Sequence, residues 1–256
     1  MEGLFRRRNL PHWDVLGHPV FITGCLHGSL SHAGMSQIDV YRNQLECKQR
    51  PDTFSVDAWE HRKHKLLFAF IDKLLDHHSQ VKYFENDRLA EIVVKAFLHF
   101  AGIRYSLLAF VVMPSHHHWL FLIDESWAEK DHAARMAQGK RKQTPREVIS
   151  HSIQSYTSNE CNKVLGKNGR FWQQESYDHW ARDEEETHRI IRYIEDNPVS
   201  AGLTDKPEHY RWSSAHFRSL GILPGTNSPL IKTPRQDASS YHTSSQRFRE
   251  LGPKES

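Results

Sequence analysis

The chain has 256 residues, 38% of them hydrophobic and 11% aromatic, and a formal net charge of +3. This is enough apolar material for one medium or two small packed domains of a soluble, globular class. Its longest apolar runs fall far short of the roughly 20 residues that a membrane span needs. The three scattered cysteines, Cys25, Cys47 and Cys161, form no CxxC pair, which argues against a disulfide framework or a cysteine zinc finger.

With no apolar signal segment at the N-terminus, the expected location is the cytoplasm, with thiols reduced and no membrane partner. Residues 1–17 are basic, carry Arg6, Arg7 and Arg8 in a row, and read as an irregular arm. That arm is either phosphate-contacting or a leader. A domain is expected over 18–218. Its first strand is His18 to Leu26 (HPVFITGCL), β-branched and aromatic after a proline. Residues 27–52 are polar and give no pattern. From Val56, the spacing of Trp59, Leu66, Leu67, Phe70, Ile71, Leu74 and Leu75 predicts an amphipathic helix to about His77. His61 and His64 share a face of it and read as surface residues. Asn86 or Asp87 caps a second helix that stops near Gly102.

A strand over Ile103 to Met113 follows, Pro114 interrupts it, and a strand resumes over His116 to Ile123. Because proline fits a sheet only at an edge, a bend or a strand start, the three histidines are expected just past a bend at the sheet edge, facing a cleft. Asp124 to Lys130 reads as an acidic loop. Thr144, Pro145 and Glu147 begin a helix that runs to about Leu165, and Gly166 ends it. A last helix runs from Asp183 to about Asn197, with an acidic first turn that suits the positive end of the dipole, and Pro198 is expected to stop it. Residues 219–256 read as a flexible tail, rich in Ser, Pro, Gly and Thr.

The chemistry centres on His116, His117 and His118. Strand side chains alternate, so His116 and His118 point one way, about 6–7 Å apart, and His117 points the other. Such a pair is half of a metal site or, as readily in a chain with 19 histidines, a packed pair. Between Arg135 and Arg170 lie eight basic residues, among them Lys140, Arg141, Lys142 and Arg146, against two acidic ones, a local net charge of +6. This stretch is either a phosphate-binding track or a solvated face. Phe171, Trp172 and Trp180 are either core residues or platforms for bases. On the last helix Tyr193 and Asn197 are one turn apart on one face. If Asn197 offers its carboxamide oxygen to an ion held by the histidine pair, Tyr193 stands one turn away, suited to attack a phosphate.

The run MPSHHHWL resembles the HUH motif, two histidines separated by one residue. YIEDNPVSAGL resembles the tyrosine motif of the REP-associated tyrosine transposases, relatives of the single-strand insertion-sequence transposases. The resemblance extends over about residues 19–212, including FWQQESYDH and YRWSS, and the two motifs lie about 75 residues apart. It implies an α+β fold, an antiparallel sheet backed by helices, similar to ferredoxin-like and RNA-recognition folds. By the same resemblance, His116, His118 and Asn197 bind a divalent ion, Mg²⁺ or Mn²⁺, though two imidazoles do not exclude zinc. Tyr193 is then the nucleophile that nicks and rejoins single-stranded or hairpin-forming repeat DNA through a 5′-phosphotyrosine, in a monomer or homodimer. His117 stands where the family usually has an apolar residue and Ser115 where it commonly has Asn, which leaves open whether His117 competes as a ligand. Tyr156, with Glu160 at i+4, is the rival nucleophile and Tyr177 the third. The alternative functions are a DNA-binding regulator that has lost catalysis and a hydrolase that activates water.

Overall fold

The computed structural model describes residues 5–7, 11–13, 17–139, 143–173 and 177–223. Short strands β1 (Phe5–Arg7) and β2 (Pro11–Trp13) pair antiparallel, so part of the stretch expected to be irregular is a ribbon. The main sheet has four antiparallel strands: β3 (Val20–Cys25), β4 (Tyr105–Val112), β5 (His116–Ile123) and β6 (Tyr177–Trp180), in the order β4-β5-β3-β6. Helices α1 (His32–Cys47), α2 (Val56–His78) and α3 (Asp87–His99) lie between β3 and β4. Helices α4 (Glu125–Ala137) and α5 (Pro145–Leu165) lie between β5 and β6. Helices α6 (Glu184–Ser200) and α7 (Ser214–Ser219) follow. The fold is therefore α+β, with the split βαββαβ order of ferredoxin-like sheets.

β4 and β5 form a hairpin, with Pro114 and Ser115 in its turn. β5 also pairs with β3, which places Thr23 opposite His118 and Gly24 opposite His117. The histidines thus sit on an interior strand, not at the expected sheet edge. Proline is accommodated because it lies between two strands rather than within one. Helices cover both faces of the sheet, and this is why β5 is buried along nearly its whole length with no alternation of exposed positions.

On one face, α3 and α5 pack over Trp119, Phe121, Phe110 and Val112. There Trp119 stacks between Phe97 at 4.9 Å and Phe121 at 4.1 Å. Full burial of such a ring is worth about 1.5–3 kcal/mol. The other face carries His116, His118, Phe21 and Leu120 under α2 and α6.

Three helices, α1, α4 and the short α7, lie where the sequence showed none. α1, capped by Ser31, buries only Gly34, Ile38 and Leu45 against α2, a stripe too thin to stand out in polar sequence. The supposed acidic loop is α4, which buries only Ala128 and is started by the Asp124 carboxylate accepting from Trp127 N–H at 2.7 Å. α6 also runs through Pro198 to Ser200. A proline in the last turn forfeits one bond, to the Ile194 carbonyl, and Ala201 N–H to the Asn197 carbonyl, at 2.9 Å, keeps that turn closed.

Candidate metal and tyrosine site

Three elements bring their side chains together beneath the buried face of β5: β5 itself, α2 and α6. The β4–β5 hairpin presents His116 and His118, both fully buried. α2 supplies Asp72 and Asp76, one turn apart, and α6 supplies Tyr193 and Asn197, also one turn apart. Asp72 Oδ1 lies 3.1 Å from His118 Nε2 and 3.5 Å from His116 Nε2, and Asp76 Oδ1 lies 3.8 Å from His116 Nε2. Asp72, His116 and His118 form a group that can hold a metal ion.

The outer ring nitrogens are tied down. Ser115 Oγ donates to the Leu75 carbonyl at 3.1 Å, so its lone pair is free to accept from His116 Nδ1 at 3.1 Å. Thr23 Oγ1 contacts His118 Nδ1 at 2.7 Å. With the protons on Nδ1, both Nε2 lone pairs face the carboxylates, the tautomer that ligation requires.

The fit to a cation rests on atoms without donors. Asp72 Oδ1, Asp76 Oδ1, His116 Nε2 and Asn197 Oδ1 are all buried and make no hydrogen bond. Burial of unpaired acceptors is costly, and two carboxylates beside two imidazole lone pairs repel one another unless a positive charge sits among them. The donor set of nitrogen and oxygen suits a divalent transition or hard metal.

Electrostatics follow the same pattern. Burial alone would raise the Asp72 carboxyl, but His118, His116 and the hydroxyl of Tyr193 outweigh it and hold it well below the usual carboxylate range. Asp76 is pushed up to about 7, by burial and then by the charge on Asp72. His116 is pushed down to about 3, chiefly by burial, so it is neutral at pH 7 and its contact with Asp72 is not an ion pair there.

Tyr193 donates its hydroxyl to Asp72 Oδ2, and its ring lies 5.6 Å from that of His118. Burial, and then the Asp72 charge, raises the phenol well above its ordinary range and keeps it protonated. Asn197 is close too, but in an unexpected orientation. Its Nδ2 donates to Asp72 Oδ2 at 3.1 Å and lies 3.4 Å from His118 Nε2, while its oxygen has no partner.

The remaining candidates lie elsewhere. His117 is on the opposite face, its ring 5.2 Å from Phe97 and 4.9 Å from Trp172, so the strand register removes it from the ligand set. Tyr156 is exposed on α5, the helix that covers that opposite face. Tyr177 begins β6, and the placement of its side chain lies outside the described residues. Arg146, expected on the surface, is buried, with its guanidinium 3.1 Å from the buried carboxylate of Asp178. Along the same basic stretch Lys163 pairs with Glu160 at 2.6 Å, and Lys167 donates to the Tyr83 hydroxyl at 2.7 Å. Lys140, Arg141, Lys142 and Arg8 lie outside the described residues, as do the side chains of Arg6 and Arg7. Phe171 and Trp172 are core residues, and Trp172 Nε1 donates to Thr157 Oγ1 at 2.9 Å.

Asp72 and Asp76 were missed in the sequence. The signal that marks them is their place on the buried stripe of α2, four and eight residues after Phe68, where an amphipathic helix ordinarily carries apolar side chains.

These features define an α+β chain with a buried histidine–carboxylate cluster and a tyrosine hydroxyl beside it. No family model matches the chain, and no curated protein does. Among solved structures, it is similar to one described as a REP-associated tyrosine transposase bound to a REP hairpin. The identity is 15% and the TM-score 0.41, over 84% of this chain and 86% of that one.

Proposed function

We propose that the protein is a divalent-metal-dependent enzyme that nicks and rejoins single-stranded, hairpin-forming DNA, with Tyr193 as the nucleophile. One observation supports this reading above the rest. The Tyr193 hydroxyl is hydrogen-bonded to the same carboxylate, Asp72, whose other oxygen faces the histidine pair among buried acceptors that lack donors. The two sequence motifs supply the substrate class, because their resemblance is to enzymes that act on single strands.

In this reading Tyr193 Oη attacks phosphorus in line, the bond from phosphorus to the 3′-oxygen breaks, and a 5′-phosphotyrosine forms. The tyrosine proton passes to Asp72 Oδ2, already its acceptor, and the departing 3′-oxygen takes a proton from water. Attack of a 3′-hydroxyl on the ester reverses the step, so joining needs no nucleotide cofactor. His116 Nε2, His118 Nε2 and Asp72 Oδ1 would hold an ion such as Mg²⁺ or Mn²⁺, with Asn197 turning its amide to offer oxygen, and the ion would neutralise charge on the phosphate. Lys82, on the small cleft that Asp76 and Ser115 also line, would meet the strand's backbone in this reading.

The test is to incubate the full chain with Mn²⁺ and a library of hairpin-bearing single strands, then resolve protein–DNA adducts under denaturing conditions. Wild type forms adducts, and Tyr193→Phe forms none while still retaining DNA. Adducts in Tyr193→Phe refute the nucleophile. Cleavage without any adduct in wild type points to a hydrolase, and binding without cleavage points to a DNA-binding regulator.

A further inference from the structure

A second cluster of ligand-type side chains lies outside the site just described and takes no part in the proposed reaction. His61 on α2, His179 on β6 and Glu186 in the first turn of α6 bring three atoms together. His61 Nε2 is 3.4 Å from His179 Nε2, Glu186 Oε1 is 3.3 Å from His179 Nε2, and Glu186 Oε1 is 3.5 Å from His61 Nε2. The triangle is close to equilateral. An ion about 2.1 Å from each of its ligands in a tetrahedron spaces those ligands about 3.4 Å apart.

We infer that His61, His179 and Glu186 form a second metal site, for a zinc-class divalent ion in tetrahedral coordination with water as its fourth ligand. The fourth position is available because both imidazoles are partly exposed, at 17% and 18%. The carboxylate is prepositioned. The backbone N–H of Arg182 donates to Glu186 Oε2 at 3.1 Å, and the α6 cap Asp183 accepts from Glu186 N–H at 2.7 Å, which leaves Oε1 aimed at the two rings. Burial, with the charges of Arg182, His179 and Lys65, lowers His61 to about 4, so its ring is neutral at pH 7 and has a lone pair to give.

One group competes. Lys65 Nζ lies 2.9 Å from Glu186 Oε1. Its side chain is 47% exposed, so it can swing into water when an ion takes its place. The consequence of binding is mechanical. The ion joins α2, which carries Asp72, to α6, which carries Tyr193, three helical turns from the first residue and two from the second. It would fix the separation of the two helices whose side chains meet under the histidine pair.

Cobalt(II) reports this site, because tetrahedral Co²⁺ absorbs intensely in the visible and octahedral Co²⁺ only weakly. In a His116→Ala/His118→Ala background, the full chain is expected to take up one equivalent of strongly absorbing Co²⁺. His179→Gln or His61→Gln removes that absorption, and Lys65→Met tightens the binding. In the intact protein, which needs no altered core, His179→Gln lowers the stoichiometry by one equivalent against wild type and abolishes the rise in melting temperature that Zn²⁺ gives through this site. The inference is overturned if the intense absorption survives both glutamine substitutions, or if His179→Gln leaves stoichiometry and melting unchanged. It is equally overturned if Lys65→Met only destabilises the fold, as a cluster that merely forms ion pairs would require. Adduct formation through Tyr193 is read separately, so failure here leaves that reading standing.

Discussion

Replacing Gly24 with alanine should destabilise this protein, although glycine is a poor residue for an interior strand. Alanine in place of a strand glycine ordinarily gains about 0.5–1 kcal/mol, because less backbone freedom is lost on folding. Here the added Cβ would lie 2.5 Å from His117 Nε2 and 2.9 Å from Cε1. The ring cannot step aside, since it is buried between Phe97 and Trp172. Overpacking of this kind costs about 1–3 kcal/mol, so the net loss expected is roughly 0–2.5 kcal/mol, centred near 1, once the backbone gain is set against it. With the ring deleted, the sign should reverse, and Gly24→Ala in a His117→Ala background should gain about 0.5–1 kcal/mol. Urea unfolding of the four proteins of this double-mutant cycle measures both values and their coupling. If Gly24→Ala has the same sign in both backgrounds, His117 does not lie over Gly24. The register that separates it from His116 and His118 would then be wrong.

Thr23→Val keeps the shape of its side chain but removes the hydroxyl partner of His118 Nδ1, and Mn²⁺ affinity measured by calorimetry should fall about 10–100-fold with the fold intact. Arg146→Met removes the guanidinium that lies 3.1 Å from the buried Asp178 carboxylate and should destabilise the fold, by up to about 3–5 kcal/mol in urea unfolding. A loss of DNA affinity with unchanged stability would instead restore Arg146 as a surface contact. In chelator, acid should unfold the protein early. His61, His116 and His117 all have folded values lowered below 6.5, so the unfolded chain binds more protons and stability falls as pH drops below 6.5, by up to about 1.4 kcal/mol per pH unit for each ring. Asp76, raised to about 7, acts in the opposite sense between about pH 4 and 7 but is one group against four, because burial lowers His64 as well. A flat stability profile from pH 7 to 5 would mean that the rings are not buried neutral. Asp72→Asn removes the charge of the carboxylate and leaves one amide oxygen where two oxygens served the Tyr193 hydroxyl and the histidine pair. It should abolish adduct formation and ion binding at the His116–His118 pair alike, and retention of either separates the two roles of that carboxylate.

Alternation along β5 determined from sequence alone that His116 and His118 share a face and His117 does not, because side-chain direction in a strand depends only on position. Helical periodicity likewise placed Tyr193 one turn from Asn197, and the apolar stripes of α2, α3 and α6 placed those helices to within a few residues, while the Thr144 capping box and Gly166 marked the ends of α5. α1 and α4 escaped because a helix that buries three residues, or only one, leaves no periodic mark. What met across the histidines was decided only by tertiary structure. Asp72 and Asp76 lie some 40 residues before His116 in the chain, and no local pattern states which face of α2 will roof which face of the sheet. The Arg146–Asp178 pair, the seat of His117 over Gly24 and the triangle of His61, His179 and Glu186 are of the same kind. Each joins residues far apart in sequence, and the packing of helices on a sheet, rather than any propensity of the residues themselves, sets their distances.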